Sequence, residues 1–245
     1  MRIGIVTGGT LEERWFQQDS KNISHWIVAD HGMDAAKRLS LVPECIVGDF
    51  DSVSTQSLLY YQSFPGIRWE KHNPVKDETD TELAIRLAIE WILEAREKEG
   101  QGLKDEGLGS RDDRTSLGKP GENKDEIVLY GATGTRLDHV LGNIHCLEKA
   151  FHQGIRAEIR DPYNRIYLVN GAARISRKEQ YGEYVSFVPF AGEVRHLTLS
   201  GFFYPLKDVS VSPGNSLLIS NRIVEEEAVI TCEGTLICFE TRDRL

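Results

Sequence analysis

The order of the apolar segments constrains the fold of this chain more than any other feature, because it changes character once along the sequence. Up to about residue 155, short apolar runs such as "IGIVTGG", "HWIVAD" and "CIVGDF" alternate with segments of helical periodicity. The segment "DETDTELAIRLAIEWILEAR" repeats its apolar residues at helical spacing. Strands that alternate with helices build mainly parallel sheets, so this part of the chain predicts an α/β domain.

The remainder of the chain carries only β runs. "NRIYLVNG", "YVSFVPF", "VRHLTLSGFFY", "SLLISN", "AVITCEG" and "TLICFET" are separated by Gly, Pro and Asn, and no helical pattern lies between them. Consecutive short strands predict an antiparallel domain, either a sandwich or a flattened barrel. We therefore expect an α/β domain over residues 1–155 and an all-β domain over residues 156–245.

A polar segment interrupts the first predicted domain. Residues 100–126 are rich in Gly, Lys, Asp and Glu and contain almost no apolar residue. Their number exceeds what a compact α/β unit needs for a connection. We predict an inserted surface loop, with a lid over a binding site as the alternative.

Composition excludes several classes of protein. The formal net charge of −9 argues against broad binding to nucleic acid or to an anionic membrane. No run approaches the roughly 20 apolar residues of a membrane span, and "MRIGIVTGG" is typical of a strand and turn rather than a signal peptide. The cysteines are scattered without a CxxC pair, which favours reduced, buried thiols: Cys45, Cys146, Cys232 and Cys238. We expect a cytoplasmic protein.

The segment "IVGDFDSV" places two carboxylates directly after an apolar strand. If the chain stays extended, Asp49 and Asp51 project to the same side about 7 Å apart. Two like charges repel each other, and a divalent cation would relieve that repulsion. Oxygen ligands favour Mg²⁺ or Mn²⁺ over zinc. A simple Asp/Ser turn that bonds to its own backbone explains the same residues, so the segment alone leaves both interpretations open.

Two further polar clusters follow predicted strands. In "KDETD", Asp77 can cap the next helix and Asp80 can lie in its first turn. In "GATGTRLDHVLGN", Gly131 and Gly134 lie where a backbone can approach an anion closely. Arg136 adds a guanidinium that can bind two phosphate oxygens at once.

The rest of the third cluster also has two interpretations. Asp138 can cap the following helix, whereas His139 and Asn143 share one helical face at i, i+4 spacing. Asp30, at the end of "HWIVAD", falls at the same edge of the predicted sheet. Ligands of open α/β sheets bind at the carboxyl ends of the strands, so several clusters along one edge favour a binding site over capping alone.

Six segments in order, "ADHG", "GDFDS", "DETDTELA", "GATGTRLDHVLGN", "GFFYPL" and "LLISN", resemble the thiamine pyrophosphokinase family over nearly the whole chain. The resemblance implies a Rossmann-like α/β domain that binds ATP and Mg²⁺, followed by a thiamine-binding β-sandwich. It also implies a homodimer with active sites at the subunit interface. The implied reaction transfers the pyrophosphoryl group of ATP to the hydroxyethyl group of thiamine and releases AMP.

The same resemblance assigns roles to residues. The implied metal ligands are Asp49, Asp51 and Asp80, and the implied catalytic residues are Asp77, Arg136 and Asp138. Asp77 or Asp138 would accept the hydroxyl proton. The residues implied to bind the substrates are Asp30, Thr79, Gly131, Gly134, His139, Asn143, Ser220 and Asn221, the last two as part of a thiamine pocket. His31 stands where the family commonly has glycine.

Two other functions are compatible with these motifs. One is a sensor that binds thiamine or nucleotide without turnover, and the other is a related phosphotransferase that acts on a different alcohol.

Overall fold

The computed structural model describes residues 1–51, 53–72, 78–102 and 125–244. The described residues up to Asp161 form one compact unit, and those from Pro162 onward form a second. The predicted insertion falls largely on residues 103–124, which lie outside the described residues. Within the described part of the chain, no helix combines the length and the apolar character that a membrane span requires.

The first unit is built on a sheet of parallel strands, as the sequence predicted. Its strands pair in the order β6-β5-β1-β2-β3-β4, and every pair in this series is parallel. The central strands are almost completely buried, which explains their uninterrupted apolar runs. The strands are β1 (Arg2–Val6), β2 (His25–Ala29), β3 (Cys45–Gly48), β4 (Arg68–Lys71), β5 (Glu126–Tyr130) and β6 (Arg156–Arg160).

Five α-helices and a short 3-10 helix (Ser20–Asn22) connect the described strands of this unit. The longest, α4, buries the apolar face that the sequence predicted, including Leu83, Leu87 and Ala88. It packs against α5 and against β2 and β3. The helices are α1 (Glu13–Asp19), α2 (Gly32–Arg38), α3 (Thr55–Gln62), α4 (Asp80–Gly102) and α5 (Leu137–Phe151).

The register of the sheet aligns the ends of four strands. Val6 at the end of β1 pairs with Val28 on one side and with Tyr130 on the other, and Val28 pairs with Ile46 of β3. The segments that leave these strands therefore emerge along one edge of the sheet. Thr7, Asp30, Asp49 and Gly131 all belong to these segments.

The second unit consists of antiparallel strands, as predicted. The long strand β11 pairs with β7, β8 and β9, and β9 pairs with β10. A buried cluster that includes Phe187, Leu197, Leu199 and Leu236 forms its core. The strands are β7 (Asn164–Ser176), β8 (Tyr184–Pro189), β9 (Val194–Ser200), β10 (Leu206–Val211) and β11 (Glu227–Thr241).

Two strand predictions in this unit were wrong. "AVITCEG" and "TLICFET" form one strand, β11, because a register shift between Cys232 and Thr235 carries the chain through Gly234 at φ 108°. "SLLISN" is not a strand. It forms a turn segment in which only Asn221 makes an isolated bridge, to Val185.

Candidate active site

The carboxylates of Asp30, Asp49 and Asp51 converge at the edge of the first sheet. One oxygen from each lies within 4.8 Å of the others. Asp30 is buried, Asp49 is half-buried and Asp51 is exposed. Two oxygen ligands of one octahedral Mg²⁺ lie at most about 4.2 Å apart, so small side-chain movements would bring these oxygens to coordinating positions. A set of carboxylate oxygens at this spacing fits a divalent cation that prefers oxygen ligands.

Asp49 and Asp51 converge for a different reason from the one the sequence suggested. Strand β3 ends at Gly48, and Phe50 has φ 65°, so the chain turns instead of continuing as an extended strand. The N–H of Asp51 donates to Oδ1 of Asp49 at 3.2 Å. The Phe50 ring packs edge-on against Trp69 at 5.3 Å. This contact stabilises a left-handed conformation that bulky residues rarely adopt.

Asp30 joins this group in place of Asp80. It follows β2, whose neighbour in the sheet is β3, and its Oδ1 accepts a hydrogen bond from the N–H of Phe50 at 3.0 Å. Asp80 begins α4, a separate element, and does not belong to the three-carboxylate group. The sequence analysis placed Asp30 at this edge of the sheet but named Asp49, Asp51 and Asp80 as the carboxylate group, whereas the structure groups Asp30 with Asp49 and Asp51.

A cavity of about 570 Å³ opens at the same edge and shares Asp30 with the carboxylate group. Its volume lies in the range of small-molecule sites, about 300–1,000 Å³. Of the described candidate residues, Asp49, Asp51, Asp138, Ser220 and Asn221 do not line it. The candidate residues that do line it are Asp30, Thr79, Asp80, Gly131, Gly134, Arg136, His139 and Asn143.

Two glycine-containing turns form one wall of the cavity and contact each other through their backbones. The N–H of Gly9 donates to the carbonyl of Gly131 at 2.7 Å, and the N–H of Thr10 donates to that of Thr133 at 2.8 Å. A Cβ at Gly9 would lie 2.2 Å from the Gly131 oxygen. Gly131 itself has φ 67°, and a Cβ there would lie 2.7 Å from the carbonyl of Thr7. Both positions therefore require glycine.

Sequence reasoning missed the first of these turns. Thr7, Gly8 and Gly9 all line the cavity. The signal was present in "IVTGGT", where a glycine pair follows a buried strand, the same arrangement that drew attention to Gly131. His31 also lines the cavity, and a Cβ at Gly8 would lie 2.5 Å from the His31 Cβ.

Helix α4 starts later than predicted. It begins at Asp80, and the Thr79 hydroxyl accepts a hydrogen bond from the N–H of Glu82 at 3.2 Å. Thr79 therefore caps the helix, and Asp80 lies in the first turn as expected. Asp77, predicted both as a cap and as a catalytic residue, lies outside the described residues.

Arg136 and Asp138 form an exposed ion pair at the start of α5, with Nη2 and Oδ2 2.6 Å apart. The helix begins at Leu137, so Asp138 lies in its first turn, and the prediction that it caps the helix was wrong. The hydrogen bond from Arg136 lowers the pKa of Asp138 to about 2. Asp138 is therefore ionised at neutral pH and is a weak proton acceptor while this pair persists.

His139 and Asn143 lie on one face of α5 and both line the cavity, as their i, i+4 spacing predicted. Asn143 also has a structural contact, because its Nδ2 donates to the carbonyl of Ala132 at 2.9 Å. This bond joins α5 to the turn that follows β5.

The two candidate residues of the second unit differ in their surroundings. Asn221 is buried, and its side chain binds both the N–H and the carbonyl of Tyr204, at 3.0 and 2.8 Å. Ser220 is exposed, with φ 59°, and its N–H donates to Oγ of Ser186 at 2.8 Å. Phe203 and Tyr204 are 58% and 59% exposed. Asn221 therefore holds a surface segment that presents aromatic side chains.

Comparisons with known proteins agree on one family. The family model described as the catalytic domain of thiamin pyrophosphokinase matches residues 16–159, and the one described as its vitamin B1 binding domain matches residues 173–237. The thiamine pyrophosphokinase of Bacillus subtilis (strain 168) is 28% identical over 220 residues, which cover 89% of this chain and 87% of that protein.

Solved structures give the same result. The crystal structure of thiamine pyrophosphokinase from Bacillus subtilis superimposes with a TM-score of 0.77 at 28% identity and covers 100% of both chains. The thiamin pyrophosphokinase of Candida albicans has a TM-score of 0.76 at 17% identity, over 99% of this chain and 90% of that one, and supports the fold alone.

Proposed function

Because the chain belongs to the thiamin pyrophosphokinase family, we propose that the edge of its first sheet binds ATP with Mg²⁺ for transfer to thiamine. The chain is an ATP-dependent enzyme that converts thiamine to thiamine diphosphate. One observation carries the proposal for the site: the three converging carboxylates and the 570 Å³ cavity share Asp30. A cation site next to a cavity lined by glycine turns and an arginine suits a metal-bound polyphosphate.

The proposed metal ligands are Asp30, Asp49 and Asp51, with Asp80 facing the same cavity. A bound Mg²⁺ would neutralise charge on the phosphate oxygens as they react. Arg136 lines the cavity and supplies a fixed positive charge, and Asp138 holds its guanidinium. Thr79, Gly131, Gly134, His139 and Asn143 complete the proposed nucleotide site.

In the reaction, the hydroxyl oxygen of thiamine forms a bond to the β-phosphorus of ATP. The bond from that phosphorus to the oxygen of the α-phosphate breaks, and AMP leaves with the bonding electrons. The hydroxyl proton passes to a carboxylate. Asp77 and Asp138 are the candidates for this proton acceptor. We favour Asp77, since the ion pair with Arg136 lowers the pKa of Asp138.

The finer organisation is proposed from the family resemblance. The first unit is a Rossmann-like ATP and Mg²⁺ domain, an assignment supported by its parallel sheet. The second is a β-sandwich that binds thiamine near Ser220 and Asn221, supported by the vitamin B1 binding match over residues 173–237. We further propose a cytoplasmic homodimer with active sites at the subunit interface. Residues 100–126 are proposed as an insertion without a catalytic role.

A direct assay tests the proposal. Purified protein is incubated with thiamine, ATP and MgCl₂, and the products are separated by chromatography. We expect equal amounts of thiamine diphosphate and AMP, and no product from Asp49→Asn or Asp51→Asn. Binding of both substrates without product would support the sensor, whereas turnover of a different alcohol in a substrate panel would support the related phosphotransferase.

A further inference from the structure

In the turn that follows β5, the carbonyl oxygens of three consecutive residues all accept hydrogen bonds from other parts of the first unit. The Gly131 oxygen accepts hydrogen bonds from the N–H of Gly9 at 2.7 Å and from the hydroxyl of Thr7 at 2.5 Å. The Ala132 oxygen accepts one from the side-chain amide of Asn143 at 2.9 Å. The Thr133 oxygen accepts one from the N–H of Thr10 at 2.8 Å. Donors from the β1 turn and from α5 thus fix three consecutive peptide groups.

The orientation of these carbonyls also determines the orientation of the N–H groups. In a planar trans peptide, the N–H of one residue points opposite to the carbonyl of the residue before it. The N–H groups of Ala132, Thr133 and Gly134 therefore point away from the donors that hold the turn. Across the described ranges, none of these three N–H groups has a hydrogen-bond acceptor. All three residues line the 570 Å³ cavity.

We propose that the N–H groups of Ala132, Thr133 and Gly134 bind the phosphate chain of ATP, and that Thr7 and Asn143 are positioning residues that keep these donors directed at it. The inference rests on the proposed function, because it specifies how the same cavity recognises its nucleotide. Successive backbone N–H groups next to a residue in the left-handed region, here Gly131 at φ 67°, form a concave anion site. Arg136 and Asp30 line the same cavity. The positive charge of Arg136 suits the phosphate anion, and the negative charge of Asp30 suits a cation bound to that anion.

Thr7 and Asn143 act as positioning residues because they oppose a peptide flip, the rotation of a peptide group that exchanges the directions of its N–H and its carbonyl. A flipped peptide presents its carbonyl oxygen where its N–H had been, and an oxygen repels phosphate. Gly131 has no Cβ to resist such a flip. The hydroxyl of Thr7 and the amide of Asn143 therefore supply a restraint that the backbone of this turn lacks.

The Thr7 hydroxyl allows a matched test, because the side chain is 3% exposed and valine has nearly its shape. Thr7→Val removes the donor, and Thr7→Ser retains it. We expect Thr7→Val to raise the KM for ATP about fivefold to tenfold, the effect of one lost hydrogen bond, with the KM for thiamine unchanged. Thr7→Ser should restore the wild-type value. Asn143→Ala should reproduce the effect of Thr7→Val.

A second measurement separates phosphate recognition from loss of stability. Inorganic tripolyphosphate and adenosine are each titrated against the protein by calorimetry in the presence of MgCl₂. Thr7→Val and Asn143→Ala should weaken tripolyphosphate binding about fivefold to tenfold and leave adenosine binding unchanged. The control is Asn170→Ala, which removes a similar amide bond, to Thr235 at 3.1 Å, in the second unit. It should leave both affinities unchanged even if the melting temperature falls.

Wild-type tripolyphosphate affinity in both Thr7→Val and Asn143→Ala would overturn the inference, whatever their melting temperatures. Calorimetry measures binding without turnover, so the proposed function and the present inference can each be rejected independently of the other. Absence of thiamine diphosphate formation by the wild type would reject the proposed function, while a selective loss of tripolyphosphate binding in the variants would still support the inference.

Discussion

The Asp30 carboxylate accepts a hydrogen bond from the backbone N–H of Phe50 at 3.0 Å, and so joins the end of β2 to the turn that carries Asp49 and Asp51. One side chain thus fixes the geometry of the turn and adds a negative charge to the proposed metal site. These two contributions are separable by mutation, because an asparagine retains the accepting oxygen and loses the charge.

We predict that Asp30→Asn raises the Mg²⁺ concentration needed for half-maximal activity by about tenfold or more, since carboxylates are the ligands that Mg²⁺ prefers. The free energy of unfolding should change little, because Oδ1 can still accept the Phe50 N–H. Activity is measured over a MgCl₂ series, and stability by urea unfolding. Asp34→Asn is the control, because Asp34 accepts a hydrogen bond from Ser54 outside the three-carboxylate group. An unchanged Mg²⁺ requirement in Asp30→Asn would contradict the assignment.

The sequence was sufficient to predict those elements whose pattern of apolar residues lies within one short segment of the chain. Buried parallel strands need continuous apolar runs, and α4 needs an apolar face, so both were recognised. Helix α1 was not predicted, because it has only seven residues and buries only Phe16, so it has almost no periodicity.

The candidate site was predicted only in part, because its assembly depends on distant pairings. Asp30 meets Asp49 since β2 and β3 are neighbours in the sheet, and strand order is not encoded in either segment alone. Phe50, in its left-handed conformation, packs against Trp69 on β4, and neither segment alone indicates this contact. By contrast, the shared face of His139 and Asn143 depends on one helix, and the sequence predicted it.

A second prediction concerns the exposed pair of Arg136 and Asp138. The hydrogen bond from Arg136 lowers the pKa of Asp138 to about 2, below the unperturbed value of about 3.9. A lowered folded-state pKa means that the pair contributes to stability above pH 3.9, and that this contribution is lost as the pH falls through about 2. Carboxyl ¹³C NMR should therefore show Asp138 titrating near pH 2 in the wild type and at a higher pH in Arg136→Gln. A common midpoint in both proteins would show that the ion pair does not form in solution.

A third prediction concerns Asn221 in the second unit. Its side chain binds the backbone of Tyr204 through two hydrogen bonds, and Oδ1 also accepts the N–H of Arg222 at 2.9 Å. Asn221→Ala leaves these partners unsatisfied, so we expect it to destabilise the chain by about 2–3 kcal/mol. Asn221→Asp would direct a carboxylate oxygen at the Tyr204 carbonyl in a buried site, so at neutral pH we expect it to destabilise the chain at least as much as alanine does. Urea unfolding measures both effects.

The matched control for Asn221 is Asn215→Ala, which removes one exposed hydrogen bond to the N–H of Leu217 and should cost less than about 1 kcal/mol. If Asn221 also positions the proposed thiamine pocket, the KM for thiamine should rise in Asn221→Ala and stay constant in Asn215→Ala. Equal destabilisation by the two alanine variants would contradict the role assigned to the buried amide.

A fourth prediction concerns the reactivity of Cys45. Burial raises the pKa of this thiol to about 12, and its side chain has no exposed surface in β3. The thiolate is the reactive species, so Cys45 should resist iodoacetamide at pH 8 in the native protein and react readily in urea. Cys146, which is only half-buried, is the internal reference. Labelling is followed residue by residue by mass spectrometry of peptides, and modification of native Cys45 as fast as Cys146 would show that β3 opens far more readily than its complete burial implies.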